Sequence, residues 1–312
     1  MRLDGDDAAS KGFVAKDEPK VLWQDTHIAV IVKGCGWIVA MTREEDQTKG
    51  LMNMLRRKRI SDPDLLVQSG VPEHLCHFVM LKFTEEAGFW LSNRVDYQCG
   101  IAHRLDIDTS GALLLGKTEV GFDHLRRAFH LHEVFKEYLC LVHGAVREDT
   151  GEINFPIQWD ESRNHSYISE HGQWAKSIYT VLGRYRLKGG NKIFSLCRIV
   201  IVTGRTHQIR IHMASLGHPL VSDGKYNRKN LSTDLMWCPR VFLHAWRLRF
   251  RDIESNTQEV KVPLSKDLTK SLRTLEEVTL DMQDESNPSC RPMKPGDSRL
   301  ALRKVDVARE RK

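Results

Sequence analysis

No stretch of this sequence is apolar for long enough to cross a bilayer as a helix. The longest runs, around Ile28–Val32 and Leu139–Val142, fall far short of the roughly 20 residues such a span needs. An apolar leader is also missing. The first twenty residues carry Asp4, Asp6, Asp7, Asp17 and Glu18, a pattern that fits neither a secretory signal nor an acid-poor transit peptide. The seven cysteines (Cys35, Cys76, Cys99, Cys140, Cys197, Cys238 and Cys290) are odd in number and never form a Cys-x-x-Cys pair, which argues against a disulfide framework. His74, Cys76 and His77 are the natural zinc candidates, but no second ligand pair follows at finger spacing, so no metal is expected. These features predict an intracellular protein of a reducing compartment, cytoplasm or nucleus, with an organelle left open. Nucleotide motifs are absent as well. There is no Gly-x-x-x-x-Gly-Lys-Ser/Thr loop, and Gly34-Cys35-Gly36 lacks the third glycine of a dinucleotide fingerprint. Without a Gly-x-Ser-x-Gly elbow or a Pro-Cys-x-x-Cys deaminase motif, the hydrolase and deaminase readings lose their main support. No fixed-period repeat is present.

What is present is enough apolar material, 41% of 312 residues, to bury one large core or two modest ones. The net charge of +6 is moderate, and its distribution is more informative. Residues 203–230 carry Arg205, Arg210, Lys225, Arg228 and Lys229 against the single acid Asp223, with His207, His212 and His218 between them. Arg56-Arg57-Lys58-Arg59 forms a second cluster. Arg247, Arg249 and Arg251 alternate with Trp246, Leu248 and Phe250, which predicts a strand with one core face and one cationic face. Any one cluster reads first as solubilising charge; three together favour a phosphate-backbone partner.

Along the chain, residues 1–20 are too polar to pack, and the fold is expected to open with the strand-like runs Val21–Trp23 and His27–Lys33. Met52–Ile60 reads as a basic helix, and 61–98 as an insertion. Thr118 is placed to cap a helix to about His130, with Val120, Leu125, Ala128 and Phe129 as its inward set. Glu137–His143 reads as a strand, and Ser177–Leu182 with Ile193–Val202 as a hairpin turning at Lys188-Gly189-Gly190-Asn191. Ile209, His212, Met213 and Leu216 share one face of a helix over 206–216, stopped by Gly217 and Pro219. The domains expected are a disordered segment 1–20, a catalytic domain 21–265, and a C-terminal extension 266–312 that becomes a mobile tail near 283. Many short strands with few helices predict an α+β fold.

The densest chemistry lies in His103-Arg104-Leu105-Asp106-Ile107-Asp108-Thr109-Ser110-Gly111, just before the buried-strand run Ala112–Gly116. With its lead-in Gly100-Ile101-Ala102, this segment resembles the catalytic motif of the RluA-type pseudouridine synthases. Lys136-Glu137-Tyr138 followed by Gly144 is similar to that family's second motif, and Thr203–Met213 to its third. Leu216-Gly217-His218-Pro219-Leu220 and Leu243-His244-Ala245 also fit, so the resemblance covers roughly 21–263. It implies a pseudouridine synthase fold with a mixed, largely antiparallel central sheet flanked by helices and loops. The implied activity is cofactor-free isomerisation of uridine in tRNA or rRNA, on a flipped-out base, by a monomer that binds RNA and no membrane.

By the same resemblance, Asp106 is the essential carboxylate, and Arg210 its partner; an opposite charge within a few ångströms keeps a carboxylate ionised. Tyr138 is the tyrosine that stacks on the base, and Arg104 fills the gap the base leaves. His103, Lys136, Arg205 and His207 complete the expected RNA contacts. Asp108, Thr109 and Ser110 read instead as residues that fix the loop by bonding to nearby backbone. His207 and His212, five residues apart, do not share a helix face as a ligand pair would. Two departures stand out: Val32-Lys33-Gly34-Cys35-Gly36 where the family has Asn-Lys-Pro-Ser-Gly, and Ser222-Asp223 where it has Gly-Asp. Neither is expected to touch the chemistry. Fewer residues precede the first strand than the roughly 50 an independent domain needs, so the S4-type module of some relatives is expected to be absent. A non-catalytic RNA-binding protein or RNA chaperone on the same fold, and a nucleobase glycosylase using the same carboxylate, are the alternatives.

Overall fold

The computed structural model describes residues 17–39, 73–162 and 165–279. The expected helix at Met52–Ile60, the Arg56–Arg59 cluster, the mobile tail and most of the segment before residue 20 lie outside them.

The strands are β1 (Lys20–Gln24), β2 (Ile28–Lys33), β3 (Trp37–Ile38), β4 (Glu73–His74), β5 (Ser110–Gly116), β6 (Phe135–His143) and β7 (Thr150–Ile153). They continue with β8 (Ile157–Asp160), β9 (His165–Ile168), β10 (Ser177–Leu187), β11 (Ile193–Ile201), β12 (Leu243–Arg251), β13 (Thr257–Lys261) and β14 (Leu275–Glu277). The helices are α1 (Leu75–Lys82), α2 (Glu119–His130), α3 (Gln208–Ser215), α4 (Leu231–Asp234) and α5 (Lys266–Arg273). Ten strands form one sheet in the order β1-β2-β5-β12-β6-β11-β10-β14, with β13 beside β12 and β7 beside β10. Every pairing in it is antiparallel except β5 with β12. The fold is the expected α+β type with a mixed, mostly antiparallel sheet.

The period-two alternation of β-strands explains how the sheet is covered on both sides. On β2 and β5, Ala29, Ile31, Leu113 and Leu115 enter one core, while Ile28, Val30, Ala112 and Leu114 enter another. All seven residues of β5 are buried, as expected of a strand whose sequence is apolar without alternation. The first core holds Tyr138, Ile199 and Ile201 from β6 and β11 with Ile209 and Met213 from α3. The second is capped by Leu125 and Ala128 of α2.

Thr118 caps α2 as expected, its side chain accepting from the Gly121 N–H at 3.2 Å. The inward set needs one correction. Val120 is 59% exposed, and Phe122 is buried in its place. At 100° per residue, position 120 stands about 140° around the helix from Leu125, on the solvent side. The strand expected at Glu137 begins two residues earlier, and the hairpin strands β10 and β11 pair from Ser177↔Ile201 to Arg186↔Ile193. Helix α3 is enclosed rather than one-faced, since Gln208 through Met213 are all buried. Residues 266–277, set apart by the sequence reading as an extension, carry α5 and β14. The latter pairs with β10, and Leu268 and Leu275 join a third core with Phe194 and Phe242.

Candidate active site

Asp106 sits on the loop that enters β5, and two buried cations far from it in the sequence, Lys33 and Arg240, hold that loop. Lys33, fully buried at the end of β2, donates to the carbonyls of Gly34 (2.9 Å), Ile107 (3.1 Å) and Thr109 (2.7 Å). Three acceptors match the three N–H bonds of an ammonium. Burial nonetheless pulls its pKa down to about 7. Arg240, next to the apolar run entering β12, donates to the Asp108 carbonyl at 2.8 Å and to Ser110 Oγ at 2.8 Å. Its guanidinium is held from behind by Asp267 and by Ser265 Oγ. Ser110 Oγ also meets His244 Nδ1 at 2.8 Å. The Thr109 N–H closes the turn on the Asp106 carbonyl at 3.0 Å. Ser110 thus bonds to buried side chains, and the loop's shape comes largely from Lys33 and Arg240.

Arg210 reaches this loop from α3. Its Nη1 lies 3.2 Å from Asp106 Oδ2, while Nε and Nη2 form a two-pronged pair with Asp223 at 2.8 and 2.7 Å. Burial alone would lower the Arg210 pKa, but the hydrogen bonds and charges of Asp223 and Asp106 raise it well above the usual value. Burial alone would likewise raise that of Asp223; Arg210 and the Tyr226 and Lys225 N–H groups hold it below. Asp106 Oδ1 has no hydrogen-bond partner among the described residues. His207, in a left-handed conformation at φ 56° just before α3, brings Nε2 to 4.0 Å from Asp106 Oδ2 and places Nδ1 3.0 Å from the Tyr226 hydroxyl. Burial pushes its pKa down to about 4.

These groups open on a cavity of about 560 Å³ lined by Asp106, Tyr138, Arg210, His103, Arg104, Lys136, Arg205 and His207, so every sequence-predicted site residue meets there. Five cations line it (Arg104, Arg126, Lys136, Arg205 and Arg210), and Asp106 is the one carboxylate among them. Tyr138 is buried, and burial together with the Asp106 charge raises its phenol pKa. Lys136, on the same side of β6, is 5% exposed; burial lowers its pKa to about 8, and its ammonium lies 5.5 Å from the centre of the Phe129 ring. Arg104 is exposed, and Arg205 Nε donates to the Trp174 carbonyl at 3.0 Å. His103 is held within the wall: Nε2 accepts from the Leu114 N–H at 3.0 Å, and the ring packs 4.6 Å from that of Phe129. His212 points away from the cavity, bonded to Ser177 Oγ and the Phe155 carbonyl.

A sequence model described as RNA pseudouridylate synthase matches residues 68–215. The dual-specificity RNA pseudouridine synthase RluA of Pasteurella multocida (strain Pm70) is 38% identical over 158 residues, covering 49% of this chain and 67% of that protein. The chain belongs to the RNA pseudouridylate synthase family. The ribosomal large subunit pseudouridine synthase D of Blochmanniella floridana is 39% identical over 135 residues, 43% of this chain and 40% of that one. The chain thus spans between two fifths and two thirds of the length of these two relatives. The solved structure of human RNA pseudouridylate synthase domain containing 1 shares the fold, with a TM-score of 0.58 at 24% identity over 88% of this chain and 92% of that one.

Within this family frame the sequence reading underestimated one residue and missed two. Asp223 reads in the sequence only as the single acid of a basic stretch and as the match beside the Ser222 departure, yet it takes two of the three side-chain hydrogen bonds of the arginine that meets Asp106. Lys33 and Arg240 received no role. Each carries a readable signal, a cation abutting a fully apolar run: Ile28–Val32 before Lys33, and Val241-Phe242-Leu243 after Arg240. A charge in such a place must find acceptors inside the fold.

Proposed function

We propose that this protein isomerises uridines in structured RNA, tRNA or rRNA, to pseudouridine, with Asp106 as the reacting carboxylate. The observation that carries this reading is the lone Asp106 carboxylate, held by Arg210 in a cavity that five cations also line. That balance suits a polyanionic chain whose base must be turned out of its stack to reach a buried group. In the reaction the N1–C1′ bond breaks, a C5–C1′ bond forms, and the C5 proton is lost as N1 gains one. Asp106 is the nucleophile that assists the first step, and Arg210 holds its carboxylate in place. Tyr138, in the same cavity wall, stacks on the base and serves the final proton transfer. Arg104, at the exposed edge, fills the space the base vacates, while Lys136, Arg205 and His207 face the ribose-phosphate chain. His103 supports them by fixing the wall. The names of curated relatives for the ribosomal large subunit favour rRNA.

The test is incubation of tRNA and rRNA with the protein, followed by pseudouridine mapping and mass analysis. Isomerisation leaves the RNA mass unchanged, and Asp106→Asn is expected to abolish the product. Free uracil in the supernatant would make the protein a glycosylase. Pseudouridine formed at the normal rate by Asp106→Asn would refute the mechanism.

A further inference from the structure

A second cavity, of about 420 Å³, adjoins the reaction cavity and shares Gly204, Arg205 and Thr206 with it. Its other wall is the β8–β9 hairpin and the turn after it, including Trp159, Ser166, His171 and Gln173. The volume falls in the range of small-molecule sites. We propose that this cavity is a second nucleotide subsite, which takes the base of a nucleotide next to the target uridine; the proposal rests on the RNA reading above.

Three observations support it. First, the Trp159 indole is 41% exposed, far more than a tryptophan serving only the core, and an exposed aromatic face is what an unstacked base needs. Second, the wall is preformed. Ser166, cross-strand from Trp159, donates from Oγ to the Thr206 carbonyl at 2.7 Å and through its N–H to the Tyr226 hydroxyl at 3.0 Å, which ties the hairpin to the segment entering α3. Third, the lining offers base-reading chemistry: the exposed Gln173 amide has no hydrogen-bond partner among the described residues, and Arg205 is the one charged side chain in it. The two cavities also communicate physically. The Trp159 ring meets that of His207 edge to face at 5.8 Å, and His207 in turn lies 4.0 Å from Asp106. A base seated against Trp159 would therefore hold its neighbour in register with the carboxylate.

The test measures affinity of the full chain at low salt for uridine 5′-monophosphate, which fills the reaction cavity alone, and for heptauridylate. Trp159→Ala is expected to weaken heptauridylate binding about tenfold, within the roughly 5- to 150-fold range of a lost base–aromatic stack, with Trp159→Phe restoring it. Binding of the monophosphate should change less than about twofold. Heptauridylates lacking one base at a time should show one position, adjacent to the target, where removal weakens the native protein as much as Trp159→Ala does and adds nothing to that variant. Equal heptauridylate binding by native protein and Trp159→Ala, or losses that add at every position, would overturn the subsite while leaving the reaction cavity's reading intact. Failure of the native protein to bind either probe would remove the RNA reading and the subsite together.

Discussion

Arg210 is the residue on which the site turns, because it has two acidic neighbours and only one of them lines the cavity. Asp223 fixes the guanidinium plane, leaving Nη1 to meet Asp106. Asp223→Asn is expected to reduce turnover about tenfold or more with little change in KM, because a small misplacement of a positioned group is enough for such a loss. The same change should destabilise the fold by about 3 kcal/mol, the low end for breaking a buried ion pair. Single-turnover kinetics and denaturant melts read the two effects separately. Lys136 supplies a pH test. Its charge is present below about pH 8 and is lost as pH rises through that value. RNA affinity is therefore expected to fall between about pH 7 and 9, and Lys136→Arg, charged throughout, should flatten the profile. The motif residues were legible in the sequence because their types follow the chemistry. Asp223 was not, since its role depends on which side of Arg210 it occupies, and a lone acid in a basic stretch carries no signal for that.

At the scale of elements, the decisive contact is the short parallel pairing of β5 and β12. His244 lies opposite Ser110, and Ala245 opposite Gly111. Gly111 has a φ of +123°, and a side-chain carbon there would fall within 2.2 Å of the Ala245 carbonyl oxygen. Gly111→Ala should therefore cost at least about 2 kcal/mol, from backbone strain and overpacking, and loosen the Asp106 loop five residues earlier. Urea unfolding midpoints and pseudouridine yield would record the two losses, and an unchanged midpoint would contradict the close approach. Elements with strong local signals were legible: β5 from its apolar run, α2 from its threonine cap, and β10–β11 from the glycine-rich turn. Val120 is apolar, but its angle around the helix, which residue type does not report, turns it to solvent. The packing of α5 and β14 was not legible, because Leu268 and Leu275 find their partners on strands far back in the chain. Local periodicity cannot report such contacts.

For the whole molecule, buried neutral histidines make stability depend on acid. His212 and His244 are essentially unexposed, and burial lowers both pKa values to about 4. In each, Nε2 faces a backbone carbonyl, of Phe155 or Val262, so the proton sits there, and Nδ1 is left to accept from a serine hydroxyl. The unfolded chain binds a proton at each below about pH 6.5, whereas the folded chain does so only below about pH 4, so stability falls as pH drops through that window. Between pH 7 and 5 each is expected to remove about 1 to 2 kcal/mol, measured by melts across the range; replacing His212 with Gln should shrink the slope. The clamp on the Asp106 loop bears on how the protein is made. The aspartate leaves the ribosome early, yet Arg210, Asp223, Arg240 and Asp267 follow over the next half of the chain. A nascent chain holding the whole signature therefore still lacks its fixed geometry, so RNA chemistry must wait until nearly all of the described fold has emerged.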